Sequence, residues 1–235
     1  VVGDRDVLII DSGEAVENIA GVGLLWQDAP GLITEAGLVD GKVRFVVAEG
    51  VYGNAVVYAY GAGGNEEILW SWHVWVPEQQ VESLPMITGF NVMNMNLGAT
   101  TAAAADVNAF GLCYQWGRKD PFTGAPTLTG NTSTLAKPIY NIDGEEGKFD
   151  AVMTPQSVEF AIANPATFIA PYGVDYADWC STSDDALWGN PDGNYREQGS
   201  LKYENLGEKS MYDPCPAGWR VPPIMAFSKF TSTGA

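Results

Sequence analysis

Positive charge is scarce in this chain. Twelve Lys and Arg stand against 29 Asp and Glu, leaving a net charge of −17. A surface of that sign argues against a nucleic-acid backbone or an anionic membrane as the main partner. There is one histidine, His73, and the three cysteines, Cys113, Cys180 and Cys215, form no CxxC pair. That set excludes a zinc site of the usual kind and allows at most one internal disulfide. No apolar run reaches the length of about 18 residues that a spanning helix requires, so no membrane span is expected. A basic segment followed by an apolar one is also missing at the start, so an exported form would be a trimmed chain. The GxSxG, Walker A and dinucleotide fingerprints are absent. His73 has no nucleophile or carboxylate partner at a telling spacing, so it reads as a strand histidine at an interface. No catalytic residue is assigned, and the expectation is a protein that is not an enzyme.

What is present is material for a core: 46% apolar residues and eight tryptophans exclude a disordered chain. Residues 1 to 80 read as strands and turns. The expected strands are Asp6–Ile10, Gly23–Gln27, Leu32–Leu38, Lys42–Ala48, Asn54–Tyr60 and Glu67–Val76. In the last of these, Ile68, Trp70, Trp72, Val74 and Val76 alternate with Leu69, Ser71, His73 and Trp75. Both faces are largely apolar, which predicts a central strand or one covered by a neighbour. The polar, proline-bracketed stretch Pro77–Pro85 is the expected boundary between domains over 1–80 and 81–235. Beyond it the Ala-rich segment Thr101–Phe110 predicts a helix, capped by Thr100 or Thr101 and stopped at Gly111. A second helix is expected from Thr154-Pro155 to about Ala163, ended by Asn164-Pro165. The fold class is α+β: an antiparallel β-sandwich followed by a loop-rich α+β part.

Gly111–Phe122, GLCYQWGRKDPF, holds three aromatic rings and the Arg118–Lys119 pair beside Trp116. Two readings compete. It is a structural corner with Trp116 buried, or a recognition surface, where Arg and Trp carry binding energy. Two acidic glycine-containing loops, Asn141–Glu146 and Asn190–Asn194, offer oxygen ligands of the kind calcium takes, and are also plain turn formers. No other cofactor is expected. Asn131-Thr132-Ser133 matches a glycosylation sequon. Near the end, KSMYDPCPAGWRVP at Lys209–Pro222 frames Cys215, Trp219 and Arg220 with prolines and a glycine, a rigid corner.

Taken together, MNMNLGAT at Met93–Thr100, YQWGRKDPF at Tyr114–Phe122 and YDPCPAGWRVP at Tyr212–Pro222 resemble the Fibrobacter succinogenes major paralogous domain of Bacteroidetes surface proteins. SVEFAIANPATFI at Ser157–Ile169, Asp178-Trp179 and Leu187–Gly189 resemble the versions found in fimbrillin-like proteins. LLWQDAPGLI at Leu24–Ile33, GNAVVYAY at Gly53–Tyr60 and ILWSWHVWV at Ile68–Val76 resemble the β-rich module that precedes the domain there. The likeness spans roughly residues 24 to 235. It implies a C-type-lectin-like second domain and a cell-surface or fimbria-associated, adhesin-like protein. Its ligand would be a host or bacterial glycan or a protein. The alternative is a structural pilus subunit that meets other subunits by strand addition.

The resemblance transfers motifs and no binding site. Met93–Asn96 lacks the Asp-Arg pair usual in the motif. Cys113 and Cys180 stand where aliphatic residues are commoner, and so read as buried small hydrophobes. The family pattern usually runs on past the GWRVP turn, whereas only Pro223–Ala235 follows here, which implies a shortened domain or a piece of one. Matched to a recurring motif, the corner reads as scaffold: Trp116, Arg118, Asp120, Asp213, Cys215, Trp219 and Arg220 are structural. Trp116 and Trp219 are then expected to be largely buried, and Arg118 bonded to backbone carbonyls or an acid. Ligand contacts would come from aromatic residues in the loops between the two corners, Tyr172, Trp179, Trp188 and Tyr195, because aromatic rings pack on sugar faces and anchor interfaces.

Overall fold

The structure, a computed structural model, describes residues 8–9, 16–63, 67–128, 136–171, 178–189, 207–227 and 229. Over these it is mostly β, with one short α-helix and no closed barrel. The main sheet contains β1 (Leu8–Ile9), β2 (Ile19–Gln27), β5 (Gly53–Gly61), β6 (Ile68–Val76), β11 (Ile139–Tyr140) and β12 (Glu146–Gly147). They lie in the order β1-β6-β5-β2-β11-β12, with every neighbouring pair antiparallel. Strands from both sides of the Pro77–Pro85 stretch therefore share one sheet, with Tyr140 opposite Gln27.

β3 (Ile33–Val39) and β4 (Lys42–Val47) form a hairpin that covers one face of this sheet. Leu32 and Ile33 pack with Ala55, Val57, Val74 and Val76, all fully buried, and Trp72 lies against them. Each such aliphatic burial contributes about 1.5–3 kcal/mol. Gly21 and Gly23 in β2 are required by the neighbouring strand. A Cβ at Gly21 would meet the hydroxyl of Tyr60 at 2.2 Å, and one at Gly23 the ring of Tyr58 at 2.7 Å. Those two rings lie across β2 where side chains would otherwise stand.

The opposite face, carrying Ser71, His73 and Trp75, is covered by the following segment. Trp75 packs on Met95 and Ala99 and donates Nε1–H to Ala99 O at 2.7 Å. Both faces of β6 are thus buried, as its double apolar alternation predicts. Trp70 departs from that alternation. A register irregularity falls beside it, and its ring meets Lys119 and Tyr212 instead of the hairpin.

The rest is short. β7 (Ser83–Pro85) and β8 (Asn91–Met93) form a small hairpin, and β9 (Leu112–Cys113) pairs with β10 (Phe122–Thr123). β13 (Asp150–Val152) runs parallel to β14 (Thr167–Ile169), joined through α1 (Val158–Ala163). The second expected helix exists but starts later, capped by Ser157 Oγ on Phe160 N, and it ends at Asn164 as read. The first does not form. Thr101–Phe110 yields only a 3₁₀ turn at Val107–Ala109, with Ala105 at φ 63°. Thr101 Oγ1 and Asp106 Oδ1 accept nearby amides, and Ala102 to Ala105 lie exposed. A helix that short needs a packed face, and this segment has none. Among the described residues no helix is long and apolar enough to cross a membrane.

Candidate functional site

The QWGRKD corner is tied to two places at once. Arg118, only 2% exposed, donates to Thr167 O at 2.8 Å, to Asn164 O at 3.3 Å and to Gln115 Oε1 at 2.8 Å. The Gln115 amide pairs with Ile169 like an added strand, donating to its carbonyl at 2.6 Å and accepting its N–H at 3.1 Å. Arg118 also sits over the rings of Phe122 and Trp179. Its expected bonding to carbonyls is what the structure contains, although Nε finds no partner among the described residues.

Lys119 and Asp120 point the other way, into the main sheet. The Lys119 ammonium donates to Asp120 Oδ1 at 2.7 Å, to Ser71 O at 3.0 Å and to Ser71 Oγ, and it lies 4.4 Å from the Trp70 ring centroid. Ser71 donates its hydroxyl to Asp120 Oδ1 at 2.5 Å. All three side chains are buried, and the ammonium's three protons all have partners. Burial pulls the Lys119 pKa down and Asp120 pulls it back up. The serine–lysine contact is therefore part of a closed seam, and a substrate could reach it only if the seam opened.

A second polar chain runs beside it. Asp28 accepts Asn54 N at 2.6 Å and Asn54 Nδ2 at 2.9 Å, and Nδ2 also donates to Gly98 O at 2.8 Å. With its amide nitrogen so placed, Asn54 turns Oδ1 to His73 Nε2 at 2.9 Å. His73 must then carry its proton on Nε2 and accept the Tyr114 hydroxyl on Nδ1, at 3.3 Å. Burial lowers the His73 pKa to about 3, so the ring is neutral. Burial, reinforced by Cys215 and Asp120, pushes the Tyr114 hydroxyl well above its ordinary range. Burial also raises the Asp28 carboxyl, against the hydrogen bonds from Asn54 and the charge of Lys137. His73 is thus a locked interface residue, its ring held between Asn54 and Tyr114.

The tryptophans are where expectation and structure part. Trp116, expected to be buried, is 49% exposed. Its ring lies 4.5 Å from that of half-buried Trp188, and its Nε1 donates to Asp185 O at 3.2 Å. Trp188 Nε1 donates to Arg118 O at 3.1 Å. Trp179, expected among the ligand contacts, is 4% exposed and donates Nε1–H to Trp116 O at 2.5 Å. It packs with Ala161, Ile169 and Cys180. The reason for the exchange is local. Gly117, at φ +88°, lets Leu187 approach so closely that a Cβ there would meet its Cδ1 at 2.9 Å. That fit lays Trp188 beside Trp116 on the outside and leaves Trp179 beneath. Tyr172 and Tyr195 lie outside the described residues, as do the sequon at Asn131 and the Asn190–Asn194 loop.

At the second corner, buried Asp213 accepts Cys215 N and Val221 N at 2.8 Å each and Lys209 Nζ at 3.0 Å. Arg220 donates to Gly207 O. The corner docks on the first sheet through Tyr212 and Trp70, 6.1 Å apart. Trp219, expected to be largely buried, is partly buried, and its N–H donates to Pro216 O at 3.0 Å. Cys113 is exposed, contrary to expectation, while Cys180 and Cys215 are buried, and all three are free thiols. Burial, helped by Asp213, raises the Cys215 thiol far above its ordinary range. In the Asn141–Glu146 loop, Asn141 Oδ1 accepts the amides of Asp143 and Glu145, which makes it a self-closed turn. Among the described residues no three His, Cys, Asp or Glu side chains converge as for a metal ion. Comparison with protein-family models, with curated proteins and with solved structures finds no match to this chain.

Proposed function

We propose that this is a non-enzymatic, adhesin-like protein of a bacterial cell surface or fimbria that binds a glycan through the aromatic face at Trp116 and Trp188. The observation that carries the reading is the Trp116 ring, half exposed yet held rigid. Its own N–H and that of Trp188 are tied to backbone carbonyls, so the ring faces, not the polar edges, are presented. The two rings are inclined at 50° to each other, and a pre-ordered ring face fits the apolar face of a sugar ring at little entropic cost. The family likeness of the QWGRKDPF and DPCPAGWRVP corners supports the same setting. In this reading the strand-rich first part is a sandwich module and the loop-rich remainder is C-type-lectin-like. Both corners act as scaffold, with Trp116 as the exception.

The test is a glycan array probed with the whole chain and with Trp116→Ala. Binding that falls about tenfold or more in the variant, with unchanged melting temperature, is the expected result. Array binding that survives the substitution would remove Trp116 from the site. No binding to any glycan would overturn the glycan reading.

A further inference from the structure

A cavity of about 350 Å³ opens where the first sheet meets the segments that follow it, lined by Asp28, Tyr52, Asn54, Glu78, Asn108 and Lys137 among others. It is separate from the aromatic face: no lining residue belongs to the QWGRKD corner or the Leu187–Gly189 turn. We propose that it is a second binding site, for a neutral, hydroxyl-rich ligand the size of about one sugar ring.

Size and wall chemistry carry this. The volume is at the small end of ligand cavities, which start at about 300 Å³. The charged side chains in the wall are two carboxylates and one ammonium, in a chain of net charge −17, which disfavours an anion. Lys137 disfavours a simple cation, and a wall with this many polar groups would desolvate at a loss against an apolar ligand. A polyol remains. Each of its hydroxyls both donates and accepts, so neighbouring ones can meet a carboxylate and an ammonium together.

The polar groups are also held in place. Both Asp28 oxygens are fixed by Asn54, each through one hydrogen bond, and a carboxylate oxygen has a second lone pair to offer. Asn54 in turn is locked by Gly98 O and His73. At Gly53, φ +153°, a Cβ would meet Asp28 Oδ1 at 2.4 Å, so the close approach of this wall requires glycine. Lys137 gives one Nζ proton to Asn108 Oδ1 at 3.0 Å, and an ammonium carries three. Burial of Asp28 strengthens any hydrogen bond it accepts from a ligand.

This site deepens the glycan-binding reading and rests on it, so the experiment must separate the two. The whole ¹⁵N-labelled chain is titrated with a panel of methyl hexosides and N-acetylhexosaminides, following backbone amides and tryptophan indoles. The expected result is shifts at the amides of Gly53, Gly98 and Gly111, weakened about tenfold or more by Lys137→Ala. Asp28→Asn should act likewise. If that variant does not fold, Lys137→Ala alone decides, because among the described residues its ammonium bonds at the exposed rim, to Asn108 Oδ1. Shifts confined to the Trp116 and Trp188 indoles, or unaffected by Lys137→Ala, would overturn the cavity site and leave the glycan reading standing. The cavity site falls in the same way if the array shows Trp116-dependent binding while no methyl glycoside shifts any of the three glycines. Silence in both array and titration would overturn both.

Discussion

Trp116 and Trp179 are 63 residues apart in sequence, joined by one hydrogen bond, and opposite in role. Trp179 fills the space between α1 and β14 beside Arg118, so Trp179→Ala should cost about 3–5 kcal/mol through the cavity it leaves. Trp116→Ala removes a ring already half in water and should cost about 1 kcal/mol or less. Chemical denaturation of the two variants checks this, and equal losses would place Trp116 in the core after all. The same contrast bears on what could be read from single residues. Arg118 was legible: a buried arginine in a tight turn must find carbonyls, and it does. Which tryptophan of the cluster faces solvent was not legible, because all of them sit in loops without a period to assign a face.

At the scale of elements, the strands were the readable part. Alternating and apolar runs between Gly, Asn, Asp and Pro turns place β2 to β6 to within a few residues, because a pleated strand enforces a period of two. The Ala-rich segment misled. Alanine has the highest helix propensity, but propensity over ten residues is weak when no apolar stripe packs. The QWGRKD turn depends on one backbone choice. Gly117→Ala would force a side chain at φ +88° and push on Leu187, so it should cost about 1–2 kcal/mol and separate the Trp116–Trp188 pair. A fall in melting temperature with altered tryptophan fluorescence is the expected signature. An unchanged spectrum would mean that Leu187 does not set the pair.

Across the whole molecule, a buried polar seam joins the first sheet to the segments after it. His73 lies in the polar chain beside that seam, between Asn54 and Tyr114, neutral in the folded state with a pKa of about 3 against 6.5 unfolded. Its contribution is fully present above pH 6.5. It is lost as the pH falls from there towards 3, because only the unfolded chain takes up the proton. The expected slope is about 1.4 kcal/mol per pH unit. Asp28, raised above 3.8, works in the opposite direction at the acid end, so the slope is cleanest in the upper part of the window. Unfolding free energy measured from pH 7 to 5 should show this fall in the parent chain and little of it in His73→Gln. A flat profile in the parent would mean that His73 is open to water.

The sequence by itself determined the acidic character, the strand-rich first part, the double-sided burial of β6 and the two rigid corners. These follow from composition, from the two-residue period and from Pro and Gly chemistry, all local properties. The tertiary structure alone decided that Ser71, Lys119 and Asp120 share one buried seam beside the chain that holds His73, and that Asp28 and Lys137 face one cavity. It also decided that Trp116 lies outside while Trp179 lies beneath it. Those pairings join residues 48 to 109 positions apart, and no local pattern encodes them. They exist because the sheet's second face must be covered, and the chain that covers it brings its own polar groups along.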